Sequence, residues 1–172
     1  MSDESAPVWI DAETKVAETP ADHKMELRLW LRLFSCSRLI ENEVRRRLSD
    51  AHDFSLPRFD ILAQLDRAED GLVLGEVSKR LMVSAGNVTS LVEGLVASGH
   101  ITRSTASQDR RAQIIKLTDK GRREFRRMAK DHSDWIAAYF EMLAPKDAEK
   151  LMDLLGKLKQ SVRQGIVAGQ KS

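Results

Sequence analysis

The chain has 172 residues, 42% of them hydrophobic and 31% charged, with a formal net charge of +2. That length supports one domain or two small ones with a true core, and the composition is that of a globular chain rather than an unfolded one. No apolar run approaches the ~18 residues of a membrane span, the acidic start MSDESAPVWIDAETK lacks the basic-then-apolar order of a secretory signal, and the single cysteine, Cys36, has no internal disulfide partner, which fits a reducing cytoplasm.

Charge is unevenly spread. Residues 1–23 hold six acids against Lys15 alone, a net of −5, so the rest of the chain carries +7. An acidic, disordered tail over 1–23 therefore precedes a basic body, and a basic body points toward a polyanionic partner. From Lys24 to Ser49, Leu39, Ile40, Val44 and Leu48 keep helical spacing with no Gly or Pro, which predicts one long helix. Its apolar residues wrap around the circumference near Trp30, so that end is expected to be buried on more than one side. Asp53-Phe54-Ser55-Leu56-Pro57 breaks the helix, and Pro57 suits the first turn of the next one, whose stripe is Phe59, Leu62 and Leu65. Glu69-Asp70-Gly71 reads as a turn and Leu72-Val73-Leu74 as a very short strand or an extended lead-in.

Two compact helices follow. The first, Gly75 to Leu81, places Val77 and Leu81 at i, i+4; the second, Ala85 to Ser98, is capped by Ser84, directs Val88, Leu91, Val92, Leu95 and Val96 inward, and ends at Gly99. Two short helices about three residues apart describe a helix-turn-helix. Extended runs at Ile101 to Ser104 and Gln113 to Leu117, separated by a polar segment, predict a β-hairpin. Thr118 is placed to cap a long helix from Asp119 to about Met142. A last helix starts near Pro145, with Ala148, Leu151, Leu155, Leu158 and Val162 along one face, and residues 165–172 read as a frayed tail.

This order, with its motifs, resembles the MarR family of winged helix-turn-helix transcriptional regulators. Asp109 and Arg111 followed by Leu117-Thr118, with Gly121 beyond, resemble the family's wing signature. Leu74 to Leu81 resembles its first helix-turn-helix element, Asn87 to Val92 with Leu95 and Gly99 its recognition helix, and Leu143-Ala144-Pro145 the run into its C-terminal helix. The resemblance spans about Met25 to Val162. It implies a mainly α (α+β) fold: a winged helix-turn-helix with a small antiparallel β-hairpin wing, and N- and C-terminal helices forming a dimerisation region. The segments are then an N-terminal dimerisation helix at 24–54, a DNA-binding region at 55–118, and C-terminal helices completing the dimerisation region at 119–164.

The expected DNA contacts follow. Arg110 and Arg111 sit where a wing tip meets a phosphate backbone or a minor groove, and arginine's permanent charge and planar fork of donors suit both. Asp109 either pairs with Arg111 or caps the turn; the plainer reading of the three is a solvated charged turn. No lysine or arginine occurs between Met82 and Ile101. Base reading therefore falls to Ser84, Asn87, Thr89 and Ser90, since asparagine bonds adenine bidentately and serine or threonine reaches bases or phosphates. Lys79, Arg80 and Arg103 flank the helix as phosphate contacts that position without specifying.

A two-fold dimer on a palindromic operator is expected, because one winged domain reads only a half-site. The resemblance also implies a small-molecule effector, such as an aromatic acid or its coenzyme A thioester, that releases a repressor from DNA. Trp30, Phe34, Phe59, Met128 and Trp135 are candidates for its wall, and Arg32, Arg38 and Arg58 for its counter-charges, each with a core or surface role as the plainer alternative. Cys36 is expected to be a buried, inert thiol, with redox sensing as the alternative. His23, His52, His100 and His132 are scattered, so no metal site or cofactor is expected. Two other functions compete with a cytoplasmic, ligand-responsive DNA-binding regulator. One is a winged-helix protein–protein interaction module without operator binding; the other is an enzyme, for which no catalytic or phosphate-loop motif is found.

Overall fold

The computed structural model describes residues 24–81, 85–105 and 112–169. Nine elements run in chain order: α1 (Met25–His52), α2 (Leu56–Asp66), β1 (Leu72–Val73), α3 (Leu74–Leu81), α4 (Ala85–Ala97), β2 (Ile101–Thr105), β3 (Gln113–Leu117), α5 (Asp119–Tyr139) and α6 (Pro145–Gly169). They fall into two compact units, one up to His132 and one from Ser133 onward.

In the first unit, α1 carries a series of ion pairs along its polar face. Glu43 is bridged by Arg46 at 2.6 Å and Arg47 at 2.9 Å, and these guanidinium groups, Arg46 foremost, hold its carboxyl down at about 2. The helix ends because Asp53 turns left-handed (φ 49°, ψ 44°) and its N–H closes onto Ser49 O at 3.0 Å. A short polar side chain tolerates that conformation better than a branched one. Only the last turns of α1 reach the core, through Val44 and Leu48. They pack with Phe59, Ile61, Leu62 and Leu65 of α2, Val77 of α3, and Val88, Val92 and Leu95 of α4, all buried. The stripe on α4 is narrower than expected. Val88, Val92 and Leu95 keep i, i+4, i+7 spacing, whereas Val96 lies a further 100° around the helix and is exposed.

The sheet has three antiparallel strands in the order β1-β3-β2. The hairpin ladder runs from Ile101↔Leu117 to Thr105↔Gln113, and Leu72 and Val73 pair with Ile115 and Ile114. The ambiguous lead-in before α3 is thus a strand. It forms only because β3 offers its second edge, a contact more than forty residues away in sequence. Thr118 joins sheet to helix: its hydroxyl caps α5 by accepting the Gly121 N–H at 2.9 Å, and it donates toward Gly99 O at 2.8 Å.

Three expectations are corrected. Trp30 is 60% exposed rather than enclosed, because nothing among the described residues covers that end of α1. Cys36 is exposed rather than buried, since it lies on the same uncovered stretch of helix. Helix α6 continues to Gly169 instead of fraying at Gly165. One glycine in an exposed helix costs only about 1 kcal/mol relative to alanine and ends a helix reliably only when it turns left-handed, which Gly165 does not. In the second unit α6 buries no residue, and Leu151, Met152, Leu154, Leu158, Val162, Ile166 and Val167 are all exposed.

Candidate nucleic-acid interface

Helix α4 presents a small polar surface. Asn87 and Ser90 are exposed on it, and Thr89 is half-buried. The inward stripe Val88-Val92-Leu95 fixes which way the helix faces, so the polar residues are turned outward by the same periodicity that buries the apolar ones. On α3, Lys79 is exposed and Arg80 is paired with Glu76 one turn earlier. That pairing holds the Arg80 side chain along its own helix. On the wing, Arg103 is exposed and donates its Nε–H to Gln113 Oε1 at 3.3 Å, while Gln113 Nε2 donates to Thr105 Oγ1 at 3.3 Å. Lys116 is a further exposed wing cation that sequence reasoning passed over. Ser84, Asp109, Arg110 and Arg111 lie outside the described residues.

Behind α4 a hydrogen-bonded chain ties the interface to the core. Arg58 Nη2 donates to Ser98 Oγ at 2.9 Å and toward Gly94 O at 3.4 Å, and its guanidinium lies 4.8 Å from the Phe54 ring centroid. Ser98 Oγ is 2.7 Å from His100 Nδ1, and His100 Nε2 is 2.7 Å from Glu124 Oε2. A carboxylate only accepts, so Nε2 carries the proton. Helices α2, α4 and α5 are therefore locked through one buried histidine. The lone signal for this in the sequence is a histidine directly after the helix-ending Gly99.

Within the first unit the expected effector residues are not gathered into one wall. Trp30 and Phe34 lie side by side on exposed α1, with ring centroids 5.8 Å apart. Phe59 and Met128 belong to the core, where Phe59 packs on Phe125 at 5.4 Å and His132 at 5.1 Å. Arg38 pairs with Glu41 at 3.1 Å, Arg58 is taken up by Ser98, and Arg32 is exposed with an interaction of its own. Trp135 belongs to the second unit. The first unit instead contains a cavity of about 490 Å³ bounded by α1, α2, α3 and α4. Leu56, Pro57, Leu81 and Leu91 give it apolar walls; Glu41, Arg45 and Asp60 give it charge; Asn87 and Ser90 give it hydrogen-bonding groups. Burial and the Glu41 carboxylate push the Asp60 carboxyl upward, and Arg45 offsets only part of this. Among the described residues no group of three or more His, Cys, Asp or Glu could hold a metal ion, and no helix is long and apolar enough to cross a membrane.

A helix-turn-helix followed at once by a two-stranded wing defines a winged helix-turn-helix DNA-binding protein. The sequence model of the MarR family matches residues 52–112. The chain is 30% identical over 134 residues to the transcriptional activatory protein BadR of Rhodopseudomonas palustris, covering 75% of this chain and 74% of the relative. It is 30% identical over 147 residues to the HTH-type transcriptional repressor YetL of Bacillus subtilis, covering 84% and 87%. A MarR family regulator from Silicibacter pomeroyi shares 30% identity and superimposes with a TM-score of 0.69 over 80% of this chain and 94% of that one. The fold is also that of Streptococcus pneumoniae FabT, solved in complex with DNA (24% identity, TM-score 0.68, covering 81% and 98%). The chain belongs to the MarR family. It is a DNA-binding transcriptional regulator and not an enzyme.

Proposed function

We propose that this regulator binds a palindromic operator as a homodimer in the cytoplasm and acts as a repressor that a small molecule releases. The observation that carries the DNA reading is the exposed pair Asn87 and Ser90 on α4 beside a wing that bears Arg103 and Lys116. Asn87 reads a base edge, with Ser90, Thr89 and Ser84 around it, while Lys79, Arg80, Arg103 and the wing-tip Arg110 and Arg111, oriented by Asp109, contact phosphates or the minor groove. With no cation on α4 itself, most of the counterion release comes from the wing and from α3.

The homodimer is supported by the uncovered apolar surfaces: Met25, Leu27, Leu29, Trp30 and Phe34 on α1, and the exposed apolar residues along α6. Surfaces of this kind mark association sites. In this reading 24–54 and 119–164 build the dimer and 55–118 reads DNA. Of two relatives, one is named an activatory protein and one a repressor, so the repressor reading is tested separately from DNA binding.

A gel shift and footprint with the DNA upstream of its own gene test the reading. Protection of two half-sites about one helical turn apart is expected, together with rising transcription when the gene is deleted. No retarded band at low salt would instead favour an interaction module.

A further inference from the structure

The cavity behind α4 has a charge pattern that selects its occupant. Of its three charged groups, Glu41 is already answered on both sides, by Arg38 at 3.1 Å and by Arg45. Asp60 is not: among the described residues nothing hydrogen-bonds to its carboxylate or lies within ion-pair distance of it, and the charge of Arg45 offsets only part of the cost of its burial and of the Glu41 repulsion. It is half-buried on a turn of α2 whose neighbours, Phe59, Ile61 and Leu62, are core residues. An acid so placed has lost part of its hydration and gained no hydrogen bond in exchange, which is unfavourable until a closer cation arrives.

We propose that this cavity binds a small apolar ligand carrying one protonated nitrogen, an ammonium or an amidinium, with the charge on Asp60 and the apolar body against Leu56 and Leu91. The volume, about 490 Å³, lies within the roughly 300–1,000 Å³ usual for small-molecule sites. A ligand carboxylate is disfavoured because it adds a third negative group to a cavity lined by one cation, Arg45, which already pairs with Glu41. The upward push on the Asp60 carboxyl from burial and from Glu41 agrees with a site short of positive charge.

The same cavity explains how such a ligand controls DNA binding. Asn87 and Ser90 line it, and these are the residues proposed to read bases. A bound ligand that accepts or donates to them takes them from the DNA, so ligand and operator compete and each weakens the other by the same factor. This regulatory half rests on the reading of α4 given under Proposed function; the binding half does not.

The test is calorimetric titration of the full chain with 2-naphthylmethylammonium, the matched neutral alcohol and 2-naphthoate, with and without operator DNA. The ammonium is expected to bind at least about tenfold more tightly than either of the others, the affinity ratio that one well-placed ion pair gives. Asp60→Asn, shown to be folded by its thermal midpoint, should abolish that preference while leaving operator affinity within about twofold, and Asp60→Glu should retain part of it. Naphthoate binding as tightly as the ammonium, an unchanged preference in Asp60→Asn, or failure of all three to bind at millimolar concentration overturns the proposal. Ammonium binding that leaves operator affinity unchanged overturns its regulatory half. If the ligand-free protein does not bind the operator, the reading of α4 fails, and the ammonium preference is still decided by the titration alone.

Discussion

Gly121 lies against the backbone of His100 so closely that a Cβ at that position would sit 2.0 Å from the His100 carbonyl oxygen. The start of α5 is thereby pinned to the segment between α4 and β2, with Thr118 N–H donating to the same oxygen at 3.0 Å. The obstacle is backbone, which cannot swing aside as a side-chain tip can. Gly121→Ala is expected to destabilise the fold by at least the ~1–3 kcal/mol of an overpacked core, a fall of several degrees in thermal midpoint. An unchanged midpoint would mean that α5 slides along the sheet without cost.

Arg58 distinguishes a structural cation from a ligand cation. It joins Ser98, Gly94 O and the Phe54 ring, and hydrogen bonds to a charged group contribute about 1.5–3 kcal/mol. Arg58→Ala should lower urea-unfolding stability by an amount in that range and leave ligand affinity in place. Full stability with lost effector response would return Arg58 to the effector site.

The proposed dimer rests on apolar side chains that nothing among the described residues covers. Leu154 and Leu158, one turn apart on α6, are 52% and 42% exposed. Replacing both with Glu should convert a species of twice the chain mass into one of the chain mass in sedimentation at micromolar concentration, with helical content retained. A wild-type chain that already sediments as a monomer would sink the idea.

The two kinds of DNA contact should separate in a salt series. Arg111→Ala is expected to weaken binding to every duplex alike and to reduce the salt slope by about one unit. Asn87→Ala should cost about 1–3 kcal/mol on the operator and relax preference at particular base pairs. Equal losses on all sequences for Asn87→Ala would remove it from base reading.

The raised carboxyl of Asp60 makes a signed prediction for stability. It is faced by Glu41 and Arg45 of α1; α3 and α4 line the cavity only with uncharged residues, Leu81, Asn87, Ser90 and Leu91. A carboxyl that ionises less readily in the folded state binds its proton longer there than in the unfolded chain, so stability falls as pH rises from the ordinary carboxylate range through the raised folded value. Asp60→Asn removes this. Its thermal midpoint should exceed that of the wild type at pH 7, and the difference should vanish as the pH falls below the ordinary carboxylate range. A lower midpoint for Asp60→Asn at pH 7 would show that the carboxylate has a favourable partner.

Helix and strand order were legible in the linear chain because each signal there is local. Apolar residues three and four apart mark α2 and α4, Gly99 marks a left-handed end (φ 73° in the structure), and Thr118 marks a cap. The family motif L-T-x-x-G could be read as well, though not its cause, which is the approach of Gly121 to His100 across twenty-one residues of sequence. Likewise Leu72-Val73 carries too little pattern to declare itself a strand; only the free edge of β3 decides it. The candidate site shows the same division. Asn87 and the wing arginines were named from residue chemistry, because polar and cationic groups advertise what they bind. Which of the cations are already occupied depends on partners distant in sequence: Arg58 meets Ser98 forty residues on. Which carboxylate lacks a partner depends on the same kind of neighbour. Asp60 reads in the sequence as an acid between two apolar residues, and the tertiary structure alone places it in a cavity with Asn87, where Glu41 outweighs what Arg45 offsets, because desolvation and charge compensation are set by what packs around a group and not by what precedes it in the chain.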